Sequence, residues 1–330
     1  MATTLGKQRV LLLGATGETG KSILQGLLED RDSFDVEALV RPSSVDKSKV
    51  KALADRGVRL RIADIQGPMD ALVKTLTGID VVISAIAAFG LLAQIDLATA
   101  AQKAGVKRFV PCSFMTIAPP GGVMSLRDQK NEVEQHIRKL YLPYTSIDVG
   151  YWHQISFPTI PSGRVNYFSM FESNVQIFNG GTMPTMMSDL RDVGPFVARI
   201  IKDPRTLNKS VFAWSDILSQ NEIFEIMESM SGEKIQPTYT SAEEIAATRE
   251  QAAAGLAADP NGFLATAVKA QADYKYSMYV RGDNTPEHGK YLGYLDAREL
   301  YPDFKPRGFK EFVKDLLDGK LEEMYGDLKL

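Results

Sequence analysis

The stretch RVLLLGATGETGKSILQGLLED, Arg9–Asp30, decides the fold. Arg9–Leu13 is a nearly continuous apolar run, the pattern of a strand covered on both faces. Gly14-Ala15-Thr16-Gly17-Glu18-Thr19-Gly20 follows at once, and helical period begins at Gly20 and runs to Asp30. A strand, a glycine-rich turn and a helix N-terminus in that order make an anion site, because backbone N–H groups point outward and the helix dipole favours a pyrophosphate. In this reading Gly14 permits the tight turn, Gly17 the close approach of backbone to phosphate, and Gly20 close packing of helix on strand. The spacing is GxxGxxG, not GxGxxG, so the flanking strand and helix carry the reading. The alternative is a plain glycine-rich turn with no ligand.

Outward from this unit, the first 110 residues or so keep alternating apolar runs with helix-period segments, the pattern of βαβ units on a parallel sheet. The strands expected are Arg9–Leu13, Val36–Val40, Arg59–Ala63, Asp80–Ala85 and Arg108–Pro111. Helices are expected at Ser48–Arg56, Met69–Leu76, Leu92–Ala104 and Ser125–Leu140. The fold class is α/β, a Rossmann-type doubly wound parallel sheet with a smaller C-terminal substrate-binding lobe. Residues 1–150 form the nucleotide-binding domain and 151–330 the lobe, interwoven with the first domain, since no low-complexity linker or repeat separates them. Beyond Tyr144–Val149, residues 151–187 are rich in aromatic, Pro, Gly and Met residues, suited to loops around an apolar pocket. Helical period returns at Leu190–Lys202, Gln220–Ser231 and Ser241–Ala272, the last broken at Asp259–Gly262.

Composition narrows the function classes. Thirty-eight basic and 41 acidic residues nearly cancel and are interspersed, so no basic stripe points to nucleic acid. Cys112 is the single cysteine, which excludes an internal disulfide and fits a reducing, cytoplasmic setting. The low-charge stretch Val81–Ala93 is too short to span a bilayer, and no export signal opens the chain, so no membrane role is expected. His136, His153 and His288 are too scattered for a metal site. His136 lies off the apolar stripe of its helix and reads as structural, whereas His153 and His288 stand where they reach either a pocket or only the protein. Asp189, Arg191 and Asp192 precede a helix and read as capping.

The end of the second strand selects the dinucleotide. A carboxylate there accepts from a ribose 2′-OH, and an arginine forks onto a 2′-phosphate. Here Val40 is followed by Arg41, with Lys47 and Lys49 close behind, so the cofactor reads as NADPH. At least one of the two lysines also fits the solvated face of the next helix. On Ser125–Leu140, Leu126, Val133, Ile137 and Leu140 form an apolar stripe, and Lys130 falls on it. Such a lysine is either a snorkelling stem or a functional amine whose charged form is disfavoured by burial and by the helix N-terminus. The tyrosine–lysine pair of common short-chain dehydrogenases is absent, because the residue four before Lys130 is Leu126. The only Tyr-x-x-x-Lys, Tyr301 to Lys305, lies among prolines.

These residues resemble the isoflavone reductase-like and NmrA-like family, within the atypical short-chain dehydrogenase/reductases. Gly14–Gly20 is similar to its GxTGxxG fingerprint and Leu39-Val40-Arg41 to its strand-end arginine. Phe109-Val110-Pro111-Cys112-Ser113-Phe114 resembles F-x-P-S-E-F, Asp203–Lys209 matches a family segment, and Leu300-Tyr301-Pro302-Asp303 resembles L-Y-P-D. The family's catalytic lysine stands some thirteen residues before an Ile-Pro-Tyr-Thr strand start. Counting back from Pro143 in Leu142-Pro143-Tyr144-Thr145 reaches Lys130.

The resemblance implies an NADPH-dependent oxidoreductase of secondary metabolism, reducing a small aromatic, phenolic or polyketide-like substrate with Lys130 as general acid or base. Gly14, Thr16, Gly17, Glu18, Thr19 and Gly20 would hold the pyrophosphate and Arg41 with Lys47 the 2′-phosphate. Ser84, Ala85 and Phe114 would line the adenosine-to-nicotinamide run, near Lys130. Tyr151, Trp152, His153, Phe168 and His288 would meet substrate, and the chain would act as a monomer or homodimer. Met115-Thr116, the shortened loop with Pro119-Pro120-Gly121-Gly122, and Val149-Gly150-Tyr151-Trp152 depart from the plant pattern, so substrate identity is not inherited. The rival readings are a non-catalytic NADP(H) sensor that binds a protein partner, and a redox-neutral isomerase or dehydratase.

Overall fold

A computed structural model of the protein describes residues 6–170 and 173–324. The chain divides into two compact units. One runs through Phe114 and also takes in Gln129–Asp148 and Arg191–Val211; the other comprises Met115–Asp128, Val149–Leu190 and the chain from Phe212 onward. The boundary therefore differs from a single cut at residue 150.

The first unit is built on five parallel strands, β1 (Gln8–Leu13), β2 (Phe34–Val40), β3 (Arg59–Ile62), β4 (Val81–Ser84) and β5 (Arg108–Val110), in spatial order 3-2-1-4-5. Helices α1 (Glu18–Glu29), α2 (Ser48–Asp55), α3 (Met69–Leu76) and α4 (Gln94–Lys103) alternate with them. The apolar run Val10–Leu13 is buried throughout because β1 is central, with β2 on one side and β4 on the other. Each expected strand is present, its ends shifted by no more than two residues. α4 starts two residues later than its period suggested, because a 3-10 turn, Ala88–Ala93, precedes it. Gln94 is buried at that junction, donating to the Leu91 carbonyl and accepting the Cys112 amide at 2.7 Å.

Two later segments complete this unit. α5 (Ser125–Lys139), from Gln129 on, packs Val133 and Ile137 into the core formed by Leu97, Ala101 and Phe109. The chain then enters β6 (Thr145–Asp148), beside Lys209–Phe212. The return of α6 (Leu190–Lys202) is explained by glycine. Gly26 of α1 and Gly194 of α6 approach so closely that a Cβ on Gly194 would strike the Ser22 carbonyl. Buried Arg108 fastens the end of that return by donating to Thr145 Oγ1, the Ile200 and Asp203 carbonyls, and Thr206 Oγ1 at 2.8–3.1 Å. Local period predicts the helix, and only the backbone contact at two glycines assigns it to the first unit.

The second unit has short strands and longer helices. β7 (Tyr151–Trp152), β9 (Thr185–Ser188) and β10 (Asp216–Leu218) form one small sheet, and β8 (Gln176–Phe178) pairs with β11 (Thr238–Thr240) in another. α7 (Gln220–Ser231) and α8 (Ala242–Ala258) each begin with a capping box, Ser219 with Glu222 and Ser241 with Glu244. The expected break after Asp259 separates α8 from α9 (Phe263–Lys275). α9 is followed directly by a π-helical turn, Tyr276–Arg281, closed by left-handed Gly282.

Candidate active site

The turn after β1 lies where the strand order reverses, between β1 and β4, the crevice in which doubly wound sheets take ligands. Gly14 adopts φ +77°, and a Cβ there would run into the Ala85 carbonyl just beyond β4. A Cβ on Gly20 would strike the Gly14 carbonyl, so this glycine serves the helix–strand packing. Gly17 has an ordinary φ of −82°, and its Cβ would meet nothing closer than the Gly14 carbonyl at 3.4 Å. Its lack of a side chain is therefore not demanded by the fold. Gly17 is also the N-cap of α1 and offers no capping side chain, so no side chain at that position competes with an anion for the first-turn amides. The Glu18 carboxylate is paired with Lys21 at 3.0 Å. At the end of β4, Ser84 is fully buried, yet its Oγ has no hydrogen-bond partner among the described residues.

Past β2, Arg41 and Lys47 are exposed, and their side chains make no hydrogen bond or ion pair with the described residues. The one acid buried in that strand is committed elsewhere. Glu37 is 3% exposed and accepts from Arg9, Arg61 and Arg59. Burial alone would raise its pKa, but the guanidinium groups of Arg61, Arg9 and Arg59 hold the carboxyl below its usual range. A cationic strand end and an occupied carboxylate fit a 2′-phosphate better than a free ribose hydroxyl. Together with the uncapped helix, the glycine cradle and the unsatisfied Ser84 hydroxyl, these residues fit NADP(H).

Lys130 sits on α5 in line with buried Val133 and Ile137 and is itself 7% exposed. Its ammonium donates to the Ser113 carbonyl, three residues beyond β5. The next residue, Phe114, adopts φ +37° while its amide donates to the Ile147 carbonyl at 2.7 Å. A left-handed aromatic residue is strained and persists only where its surroundings impose it, which is common at functional positions. Polar groups continue inward. Ser113 Oγ is 2.7 Å from Ser146 Oγ, which donates to Glu134 Oε1 at 2.6 Å. The neighbouring Cys112 thiol is pushed up by burial, against the pull of the Lys130 charge, and donates to the Ile86 carbonyl. It is a packed side chain and not a nucleophile.

In the second unit, Tyr151 and Trp152 are half-buried on β7. Two residues expected at the substrate are buried. His153 is fully buried, flanked by Phe309 and Phe312 at ring distances of 5.3 and 5.7 Å, with Nε2 at 3.3 Å from both Ser215 Oγ and Asp216 Oδ2. Phe168 is 3% exposed and packs on Phe157 and Phe312. Both side chains pack among aromatic rings, and His153 Nδ1 is buried with no hydrogen-bond partner among the described residues. His288 keeps an exposed edge while Nδ1 meets the Asp283 carbonyl at 2.9 Å.

A model of the NmrA-like family matches residues 6–313. The chain belongs to the NmrA-like family. It is 40% identical over 312 residues to asnovolin J 5′,6′-dehydrogenase of Aspergillus novofumigatus, covering 94% of this chain and 95% of that one. Among solved structures it is similar to the leucoanthocyanidin reductase–NADPH complex of Vitis vinifera, with a TM-score of 0.78, 23% identity, and 94% and 99% of the two chains covered. It also resembles AtPrR2 with NADP+ and (+)-pinoresinol, with a TM-score of 0.74, 26% identity, and the same coverage. These NmrA-like relatives are dehydrogenases and reductases by name.

The first unit thus brings together Gly14–Gly20, Ser84 and Ala85 at one end of the sheet, and sets Lys130 against the backbone leading into Phe114. His136 bonds Thr99 Oγ1 at 2.9 Å, a structural contact within the same unit. Sequence reasoning missed Glu134 and Ser146. Glu134 was findable: it stands four residues after Lys130 and is a second polar residue buried on the same helix. Ser146 carried no signal, since a serine in a short strand is read as neutral until its neighbour is known.

Proposed function

We propose that the chain is an NADP(H)-dependent oxidoreductase acting on a small aromatic, phenolic or polyketide-like secondary metabolite. The observation that carries the reading is the buried amine of Lys130, held against the Ser113 carbonyl in the same unit as an uncapped, glycine-cradled helix N-terminus. The amides after Gly17 bind the pyrophosphate, and Arg41 with Lys47 binds the 2′-phosphate. When bound, the nicotinamide supplies or accepts a hydride. Lys130 moves the accompanying proton, and Ser113, Ser146 and Glu134 fix its position. The 40% identity to a dehydrogenase and the likeness to reductases leave the direction to the substrate, because the same proton and hydride pass either way.

The test is Lys130→Ala, assayed by NADPH oxidation and NADP+ reduction over a panel that includes pinoresinol. We expect turnover to fall by about 10²- to 10⁴-fold, with NADPH affinity within a few fold of wild type. Undiminished turnover would remove Lys130 from the mechanism. If no compound changes NADPH absorbance in either direction, while a protein partner binds only one redox form, the sensor reading replaces the enzyme.

A further inference from the structure

The second unit holds a cluster that neither the nucleotide site nor Lys130 uses. Phe178 of β8 and Tyr279 of the π-turn stack, with centroids 5.3 Å apart and planes at 21°. Tyr151 of β7 packs on the same group, its ring 6.2 Å from Tyr274. Lys275, the last residue of α9, lies over the Phe178 ring with Nζ 4.8 Å from the centroid.

Two departures from regular backbone meet at Tyr279. The π-turn is one, and such turns gather at functional positions. Asn179 is the other: it adopts φ +47° and donates from Nδ2 to the Tyr279 carbonyl at 2.7 Å. Both are disfavoured in isolation, so packing imposes them together and fixes the Tyr279 ring in place.

The cluster offers protonated donors and no carboxylate to meet them. Among the described residues, neither the Tyr151 nor the Tyr279 hydroxyl makes a hydrogen bond, and the Lys275 ammonium has no carboxylate. Two other cations of the second unit, Arg249 and Arg281, are held by Asp273 and Asp283. Burial pushes the Tyr151 phenol up to about 12 and the Tyr279 phenol higher still, so both keep their protons, and burial lowers the Lys275 amine. Buried and half-buried donors packed among aromatic rings are satisfied by a ligand that brings the acceptor.

We infer that Tyr151, Tyr279 and Lys275 form the oxygen-recognition site for the substrate, binding a carbonyl, enolate or phenolate oxygen carried on an apolar skeleton. The word substrate rests on the oxidoreductase reading; the binding site does not. Such a site rejects analogues that lack the oxygen, because the donors are then left unpaired.

The probe is 4-nitrophenol, titrated into the full-length protein loaded with NADP+ near neutral pH, where the probe is part ionised. We expect binding to raise its yellow phenolate fraction. Lys275→Met should abolish that rise, and Tyr279→Phe or Tyr151→Phe should weaken binding by about fivefold to tenfold. The control 4-nitrotoluene, which has no such oxygen, should bind wild type and variants alike. Should Tyr279→Phe fail to fold, Tyr151→Phe and Lys275→Met carry the same test. No phenolate rise on wild type, or unchanged affinity and phenolate fraction in the variants, overturns the site. If the probe behaves as expected but no compound exchanges hydride with NADP(H), the site stands and the redox reading falls. If Lys130→Ala abolishes turnover while the probe ignores all three residues, the redox reading stands and the site falls.

Discussion

At Gly14 the proposed nucleotide site is made by leaving side chains out, and at Tyr279 the proposed oxygen site is made by crowding them in. The turn of the first unit depends on missing Cβ atoms and uncapped amides, features set by residues adjacent in sequence. The aromatic cluster of the second unit draws Tyr151, Phe178 and Tyr279 from across more than 120 residues and needs a π-turn to align them. Backbone sites follow local rules and tolerate no added bulk. Side-chain sites follow tertiary packing and tolerate exchange one group at a time.

That contrast is tested most severely at Gly17. Its Cβ would meet only the Gly14 carbonyl, at ordinary contact distance, so Gly17→Val should fold with an unchanged melting temperature. If the turn binds a pyrophosphate, NADPH affinity should drop by about tenfold to a hundredfold from overpacking at the ligand, measured by calorimetry. An unchanged Kd would mean that the turn is only a turn. Arg41→Asp addresses the other end of the cofactor. Removing a charge-assisted contact and adding repulsion should cost NADPH about tenfold or more relative to NADH, and equal losses for both would refute the strand-end assignment.

Smaller effects sharpen the side-chain half of the comparison. Glu134→Gln removes the charge that accepts from Ser146 and should lower kcat by about tenfold at most, with little change in KM, as a positioning residue would. Unaltered kcat would exclude the Ser113–Ser146–Glu134 chain from the support of Lys130. Tyr151→Phe gives the mildest signal. The folded-state pKa of Tyr151 is raised to about 12 from an ordinary value of 10, so its contribution to stability is fully present below pH 10 and is lost as pH rises towards 12. Denaturant melts between pH 9 and about 12 should therefore fall less steeply for the phenylalanine variant. Parallel slopes would show that the phenol is not buried as described.

Much of the first unit was legible because its signals are short-range. Continuous apolar runs give buried parallel strands, and Gly14 and Gly20 answer to contacts within the same βαβ unit. Lys130 was isolated by helical period, since a polar residue on an apolar stripe is visible without coordinates. The second unit was less legible. His153 and Phe168 read as substrate residues because aromatic loops suggest a pocket, but composition does not say which rings face a ligand and which face one another. Lys275 and Tyr279 lie past the helical segment expected to end at Ala272, and a π-turn leaves no mark in a pattern of apolar and polar residues.

The sequence by itself determined the parallel sheet, the glycine-rich turn, the cationic end of β2 and the helical position of Lys130, because each depends on neighbours within a few residues and on fixed backbone periods. Only the tertiary structure decided that α6 returns to the first unit, that Glu37 is consumed by three arginines, that Lys130 leans on the Ser113 carbonyl, and that two phenols and an amine share one aromatic floor. Those outcomes depend on contacts between residues far apart in sequence, where close packing and burial fix which polar groups find partners and which remain available to a ligand.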